Sequence, residues 1–188
     1  MPRPSKEQID DEILEAAAEL FARHGFRETS VQRIADAVGY SKTGLLHRYP
    51  SKEALQQAVV DRALREVRQV SGRVGGRPPG MERDRAAIIL MAGLALDCPG
   101  TVALMLASLM SAPESEIGLV LAEIGEAVFA AFALHPEADP VRLVRVIGAL
   151  GALAVTAVAL RDKVPATALA TVIDVSYDAL GHSVPAPH

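Results

Sequence analysis

The sequence contains one cysteine, no tryptophan and few aromatic residues, so its core must be mainly aliphatic. Cys98 has no second cysteine with which to form an intramolecular disulfide, and no cluster of cysteines and histidines suggests a zinc site. None of the five histidines has a nucleophile or a metal ligand at a telling spacing. We therefore predict a cytoplasmic protein that is not an enzyme and uses no metal and no cofactor.

Long hydrophobic runs are also missing. The longest uncharged run within a predicted helix is Val146–Leu160, which has 15 residues, whereas a membrane span needs about 20. The first residues, MPRPSKEQIDDE, are too polar for a signal peptide. We therefore predict no membrane association. The positive mean hydropathy leaves a membrane protein as an alternative, which solubility without detergent would exclude.

Positive charge is scarce in the chain as a whole, whose formal net charge is −4. This excludes a uniformly basic nucleic-acid-binding protein but allows a local basic surface. Between Arg23 and Lys52 there are six basic residues, and the only acidic residues are Glu28 and Asp36, so this window carries +4. The charge is therefore segregated within an acidic protein.

Apolar residues recur at helical spacing along the chain, and no segment alternates with the period of two expected of a strand. Ser5 with Gln8 and Thr29 with Gln32 have the spacing of capping boxes, and Ser41 and Ser51 are typical N-caps. The predicted helices cover about 6–24, a short segment after Thr29, 42–49, 52–70, 83–97, 101–111, 114–134, 138–162 and 166–181. This pattern predicts an all-α fold of about nine helices, with a Gly/Pro-rich linker at 71–80.

The two short helices around Gly39 have the spacing of a helix-turn-helix motif. Ala35 is small enough for the second helix to cross the first, and Gly39 allows the positive φ of the turn. Leu45 faces inward, whereas the outer face of the second helix is polar or small. Such a face is suited to the major groove and its phosphates.

Two segments resemble the DNA-binding domain of the tetracycline-repressor (TetR) family: ILEAAAELFARHGFRETSVQRIADAVG and YSKTGLLHRYPSKEAL. The resemblance covers Ile9–Leu55, roughly a quarter of the chain. It implies an N-terminal three-helix DNA-binding domain at 1–52, a connecting helix and linker at 53–80, and an effector-binding and dimerisation domain at 81–182. We expect a flexible tail at 183–188.

Carried over by position, the DNA contacts of the family fall on both short helices and on the start of the fourth helix. They are Thr29, Ser30, Gln32, Arg33, Tyr40, Ser41, Lys42, Thr43, Gly44, His47, Arg48 and Lys52. Two departures prevent transfer of an operator sequence. Leu46 replaces a frequent tyrosine, and Thr43 and Gly44 reverse the usual Gly-Thr order.

The resemblance further implies a homodimer that binds a palindromic DNA operator and is released by a small-molecule effector, most often as a repressor. A stripe of small residues in the long aliphatic helix, together with apolar residues of the last helix, independently suggests a four-helix interface. The candidate interface residues are Gly148, Ala152, Val155, Ala159, Leu169, Val172 and Ile173. A stripe packed only within its own subunit is the alternative.

The effector pocket is weakly specified by the sequence. Met91, Leu94, Met105, Leu106, Met110, Phe129 and Phe132 are candidate lining residues, because methionine suits irregular cavities. The same residues at helical spacing also fit an ordinary core. Cys98 is either a redox sensor or an inert buried side chain. A helical protein–protein adaptor or a ligand-binding module without DNA binding remains the alternative function, and it would show no salt-dependent affinity for DNA.

Overall fold

The computed structural model describes residues 5–109, 114, 116–135, 139–159 and 169–182, and these ranges contain nine α-helices and no strand. The helices are α1 (Lys6–Glu28), α2 (Val31–Ala37), α3 (Lys42–Arg48), α4 (Lys52–Gly75), α5 (Met81–Asp97), α6 (Pro99–Leu109), α7 (Glu116–Ala131), α8 (Pro140–Ala159) and α9 (Leu169–Ala179). The all-α prediction is confirmed. The predicted tail at 183–188 lies outside the described residues.

Local signals fix the ends of α1. The Ser5 hydroxyl accepts a hydrogen bond from the Gln8 N–H (3.1 Å), and the Gln8 side chain accepts one from the Ser5 N–H (2.8 Å), so the predicted capping box is confirmed. Gly25 has a φ of 81° and interrupts the helix where a stop was predicted. This kink, called the Gly25 reversal below, brings the centre of the Phe26 ring to 4.8 Å from that of the Phe21 ring, and both rings are buried.

The fourth helix is longer than predicted. Its predicted end was near Val70, but α4 continues to Gly75. The physical reason is that Val70 and Val74 extend the buried stripe of the helix. Burying a valine contributes about 1.5–3 kcal/mol, which offsets a cost of about 1 kcal/mol for each glycine in the helix. The linker is correspondingly shortened to 76–80.

The described chain forms two compact units. Unit 1 comprises the described residues within 1–65 and 98–124, and unit 2 comprises the described residues within 66–97 and 125–188. The functional boundaries at 52, 80 and 182 stay predictions. In the division by packing, α6 belongs with α1 in unit 1.

A glycine in α6 makes this packing possible. A Cβ atom on Gly100 would lie 2.5 Å from the main-chain oxygen of Glu15 and 3.1 Å from the main-chain nitrogen of Glu19. Glu15 in turn accepts hydrogen bonds from the Gly100 N–H and from the Thr101 hydroxyl (3.3 Å). A carboxylate of α1 therefore caps the positive end of α6.

Arg62 of α4 completes this buried contact in unit 1. Its side chain is 8% exposed and donates to Glu15 (3.0 Å) and to the Cys98 Sγ (3.1 Å). Cys98 is itself buried, immediately before α6. No spacing rule predicts this cluster, because its members are 36 to 86 residues apart.

Unit 2 has a buried carboxylate of its own, which the sequence analysis did not identify. Asp84 of α5 is wholly buried and accepts hydrogen bonds from Arg142 Nη2 (2.8 Å) and from His182 Nε2 (2.6 Å). These bonds join the start of α5 to the start of α8 and to the residues after α9. A cavity of about 460 Å³ lies beside them and is also lined by Phe132 and Arg145.

Candidate nucleic-acid interface

The surface of α2 and α3 is built by short-range caps and one turn. The Ser30 hydroxyl accepts from the Arg33 N–H (3.1 Å) to begin α2, and the Ser41 hydroxyl accepts from the Gly44 N–H (3.0 Å) to begin α3. Between them Gly39 has a φ of 70°, as the sequence predicts. The start of each short helix and the turn between them are therefore set by residues of this segment itself.

Buried apolar side chains hold these helices against α1. Ile34, Ala35 and Leu45 have no exposed surface, and the Tyr40 N–H donates to the Ala35 carbonyl oxygen (2.8 Å). The small Ala35 and the inward-facing Leu45 are as predicted for a helix-turn-helix. The opposite face of α3 is left exposed as a consequence.

Most of the predicted DNA-contact residues lie at this exposed surface. The exposed ones are Ser30, Gln32, Arg33, Ser41, Lys42, Thr43 and His47, and the half-buried ones are Tyr40, Gly44, Arg48 and Lys52. Leu46, at the position where tyrosine is frequent, is half-buried. Hydroxyl, cationic and imidazole groups are thus brought together on one side of unit 1.

Thr29 is a correction to the predicted set. Its side chain is wholly buried, and its hydroxyl donates to the carbonyl oxygens of Gly25 (2.8 Å) and Leu20 (3.2 Å). The predicted Thr29–Gln32 capping box is also wrong, because Ser30 is the N-cap and Gln32 donates to Asp36 (2.6 Å) instead. The Thr29 hydroxyl is thereby bonded to main-chain oxygens of α1 instead of capping α2.

Two of the cations already have partners within unit 1. Arg48 is ion-paired with Asp10 of α1, and the Lys52 Nζ donates to the Arg27 carbonyl oxygen (3.0 Å). Lys52 thereby joins the start of α4 to the end of α1. Both side chains stabilise the arrangement of the helices as well as adding positive charge to the surface.

Tyr49 shares the carboxylate that holds Arg48. Its hydroxyl donates to Asp10 (3.3 Å), and burial, followed by the negative charge of Asp10, raises the pKa of Tyr49 to about 12. The phenol is therefore neutral at physiological pH and remains a hydrogen-bond donor. Asp10 and Tyr49 were not among the predicted site residues, because a contact between positions 39 residues apart leaves no local pattern.

The candidate effector-pocket residues fall in both units. Unit 2 holds the buried Met91, Leu94 and Phe132 and the half-buried Phe129, whereas unit 1 holds the half-buried Met105 and Leu106. Met110 lies outside the described residues. Of this set, Phe132 lines the cavity beside Asp84.

The candidate dimer residues lie on α8 and α9, which pack together in unit 2. Gly148, Val155 and Ala159 are exposed, and the other four, Ala152, Leu169, Val172 and Ile173, are half-buried. Among the described helices, α8 is long and apolar enough to cross a membrane by length and composition. Within the chain, 28% of its most apolar window is buried. The sequence analysis missed this candidate span because it counted only uncharged runs, and Arg142 and Arg145 lie in the first part of α8.

The helix-turn-helix region matches known proteins. Residues 13–59 match the family model described as "Bacterial regulatory proteins, tetR family". The chain is 48% identical over 52 residues to the HTH-type transcriptional regulator RutR of Escherichia coli, which is 28% of this chain and 24% of that protein. It is 46% identical over 54 residues to the HTH-type transcriptional repressor KstR2 of Rhodococcus jostii, which covers 29% of this chain and 24% of that protein. The match thus spans about a quarter of the length of these curated relatives.

Solved structures resemble the fold over nearly the whole chain. A TetR-family transcriptional regulator from Bordetella parapertussis aligns with a TM-score of 0.63 and 21% identity, covering 93% of this chain and 94% of that one. AmtR from Mycobacterium smegmatis aligns with a TM-score of 0.60 and 24% identity, covering 98% of this chain and 90% of that one. At these identities the likeness concerns the fold. Residues 13–59 thus match the helix-turn-helix region of the tetR family of bacterial regulatory proteins, and the described part of the chain shares its nine-helix fold with these solved structures.

Proposed function

We propose that the protein is a cytoplasmic transcriptional repressor that binds a palindromic DNA operator as a homodimer and is released from it by a small molecule. The observation that carries the proposal is the exposed face of α3, where Lys42, Thr43 and His47 project from a helix anchored by the buried Leu45. Lysine supplies a phosphate contact, and a hydroxyl or imidazole can reach a base edge.

The proposed dimer is supported by an apolar surface on α8 that no described helix of the same chain covers. One side of α8 is buried through Val146, Ala149 and Leu153, yet Val144, which is 69% exposed, and Val155, which is 51% exposed, lie on another side. A helix that is apolar on most sides is normally buried. A second copy of α8 and α9 would cover this surface and form a four-helix interface.

A dimer would also account for operator recognition. Two α3 helices must lie about 34–36 Å apart to enter successive major grooves on one side of the duplex. An effector that binds unequally to two spacings of these helices would shift the population towards the form that does not bind DNA. The repressor named among the relatives is consistent with this direction of control.

Fluorescence anisotropy tests the DNA-binding proposal. The full chain is titrated into a labelled duplex from the DNA upstream of its own gene, at two or more salt concentrations. For each phosphate contact that it removes, Lys42→Ala should lower the slope of log affinity against log salt by about 0.9. Arg73→Ala is the matched control, because it removes one exposed positive charge from α4 within unit 2.

Three outcomes have distinct meanings. A reduced salt slope for Lys42→Ala, with the wild-type slope for Arg73→Ala, supports the proposal. Equal slopes for both variants contradict the assigned role of α3. An absence of salt-dependent binding by the unmodified chain contradicts DNA binding itself and favours the alternative of a helical protein–protein adaptor.

A further inference from the structure

A cleft of about 360 Å³ lies between the first turns of α1 and the end of α3. It is lined by Lys6, Asp10, His47, Arg48 and Tyr49. His47 is one of the exposed residues of α3, so the cleft opens at the edge of the proposed DNA surface. Lys6 and Asp10 precede the residues that match the family model, which begins at residue 13.

The charges lining the cleft suit an anion, with one exception. Lys6 and Arg48 carry positive charge and His47 adds an imidazole, whereas Asp10 is the only carboxylate among the lining residues. The Tyr49 hydroxyl is a further hydrogen-bond donor. Groups that can donate hydrogen bonds to an anion therefore outnumber the single carboxylate. That carboxylate, Asp10, contacts both Arg48 and Tyr49.

In the free protein the Asp10 carboxylate is ion-paired with the Arg48 guanidinium. The two side chains form an ion pair in which Arg48 is 22% exposed and Asp10 is 31% exposed, so water and solutes reach both. A guanidinium binds a phosphate with the same paired N–H groups that it offers a carboxylate. A phosphate entering this cleft must therefore compete with Asp10 for Arg48.

From this geometry we infer that the cleft is a binding site for a phosphate of the DNA backbone. Lys6 is an additional DNA contact at this site, and Asp10 limits the affinity for DNA by holding Arg48. The inference rests on the proposed DNA-binding function and adds to it a site and a competing residue. It assigns no base recognition to the cleft, because phosphates carry no sequence information.

Asp11 provides a matched control for Asp10. It is the next residue of α1, carries the same charge and is 60% exposed, but its carboxylate is paired with Arg62 Nε (3.6 Å), whereas that of Asp10 is paired with Arg48. Asp10→Asn and Asp11→Asn therefore change the net charge equally. A difference in DNA affinity between them reports the local contact and not the total charge.

The experiment measures duplex affinity by fluorescence anisotropy with the full chain. We expect Asp10→Asn to tighten binding about two- to fivefold for each bound protomer, which lies within the range that measured strengths of exposed ion pairs allow. Asp11→Asn should change the affinity less than twofold. Lys6→Gln should weaken binding and reduce the salt slope by about 0.9 for each protomer.

A double variant distinguishes competition between Asp10 and a phosphate for Arg48 from a general electrostatic effect of the Asp10 charge on DNA. If Asp10 acts through Arg48, then Asp10→Asn has no effect on affinity when Arg48 is already glutamine. Thermal melting of each variant shows that it remains folded. Lys6→Gln, which lies on the exposed first turn of α1, tests the site independently if the Asp10 variant unfolds.

Two results would overturn the inference and leave the proposed function intact. One is salt-dependent binding in which Asp10→Asn and Asp11→Asn behave alike. The other is a gain from Asp10→Asn that persists in the Arg48→Gln background. If the unmodified chain does not bind the duplex at all, the proposed function fails together with this inference.

Discussion

Replacing Gly100 with alanine tests how α6 is seated on α1. The added Cβ would lie 2.5 Å from the Glu15 main-chain oxygen and 2.9 Å from Glu15 Oε1, and main chain cannot rotate away as a flexible side chain can. Overpacking of this kind typically costs about 1–3 kcal/mol. The better helix propensity of alanine returns at most about 1 kcal/mol. Because the closest atom is main chain at 2.5 Å, we place the overpacking cost in the upper part of its range, about 2–3 kcal/mol. The net loss is then about 1–2 kcal/mol, which corresponds to a fall in Tm of roughly 2–8 °C for a chain of this size.

The assay is thermal unfolding followed by circular dichroism at a fixed protein concentration, because the Tm of an oligomer depends on concentration. Gly93→Ala is the matched control. Gly93 lies within α5, and nothing lies within 4 Å of the position of its missing Cβ. Alanine there should stabilise the helix by up to about 1 kcal/mol, so the two variants should shift Tm in opposite directions. A Gly100→Ala protein that melts at or above the wild-type temperature would refute the close approach of α6 to α1.

Three further predictions concern other residues. Val155→Glu should yield monomers in sedimentation velocity, whereas Leu119→Glu, at a site on α7 that is also exposed, should not; monomers from neither would contradict the α8 interface. Thr29→Val should lower the stability by about 1–2 kcal/mol in urea unfolding through loss of its two hydrogen bonds, with unchanged DNA affinity in the folded protein. Asp84→Ala should cost about 2–3 kcal/mol in the same measurement, since it removes the carboxylate that holds Arg142 and His182, and a neutral result would show that the contact contributes nothing.

The parts of the fold that the sequence predicts are those determined within a few residues. Ser5, Ser41 and Ser51 each cap a helix through the N–H three residues later, and Gly39 sets its turn through its own φ. Such contacts depend on identity and spacing alone. They place α3, and with it the exposed face proposed to bind DNA.

The parts that the sequence does not predict depend on residues distant in the chain. Thr29 resembles an N-cap, but the Gly25 reversal directs its hydroxyl to main-chain oxygens of α1. The Asp10–Arg48 ion pair and the Glu15–Arg62 contact join residues 38 and 47 positions apart. Charge counting placed Arg48 on a basic surface but did not reveal the carboxylate opposite it. Tertiary contacts therefore modify the interface that local signals outline.

Because Cys98 is buried, the rate at which its thiol is chemically modified reports local opening of the structure around it. Cys98 is the only cysteine in the chain, and its sulfur is 3.1 Å from the Arg62 guanidinium at the start of α6. Modification by a thiol-reactive reagent therefore requires local opening of the structure around this buried sulfur. Where reclosing is faster than labelling, the labelling rate measures the free energy of that local opening. Comparing this rate with and without DNA or a candidate effector would reveal whether either one stabilises α6, with no engineered label.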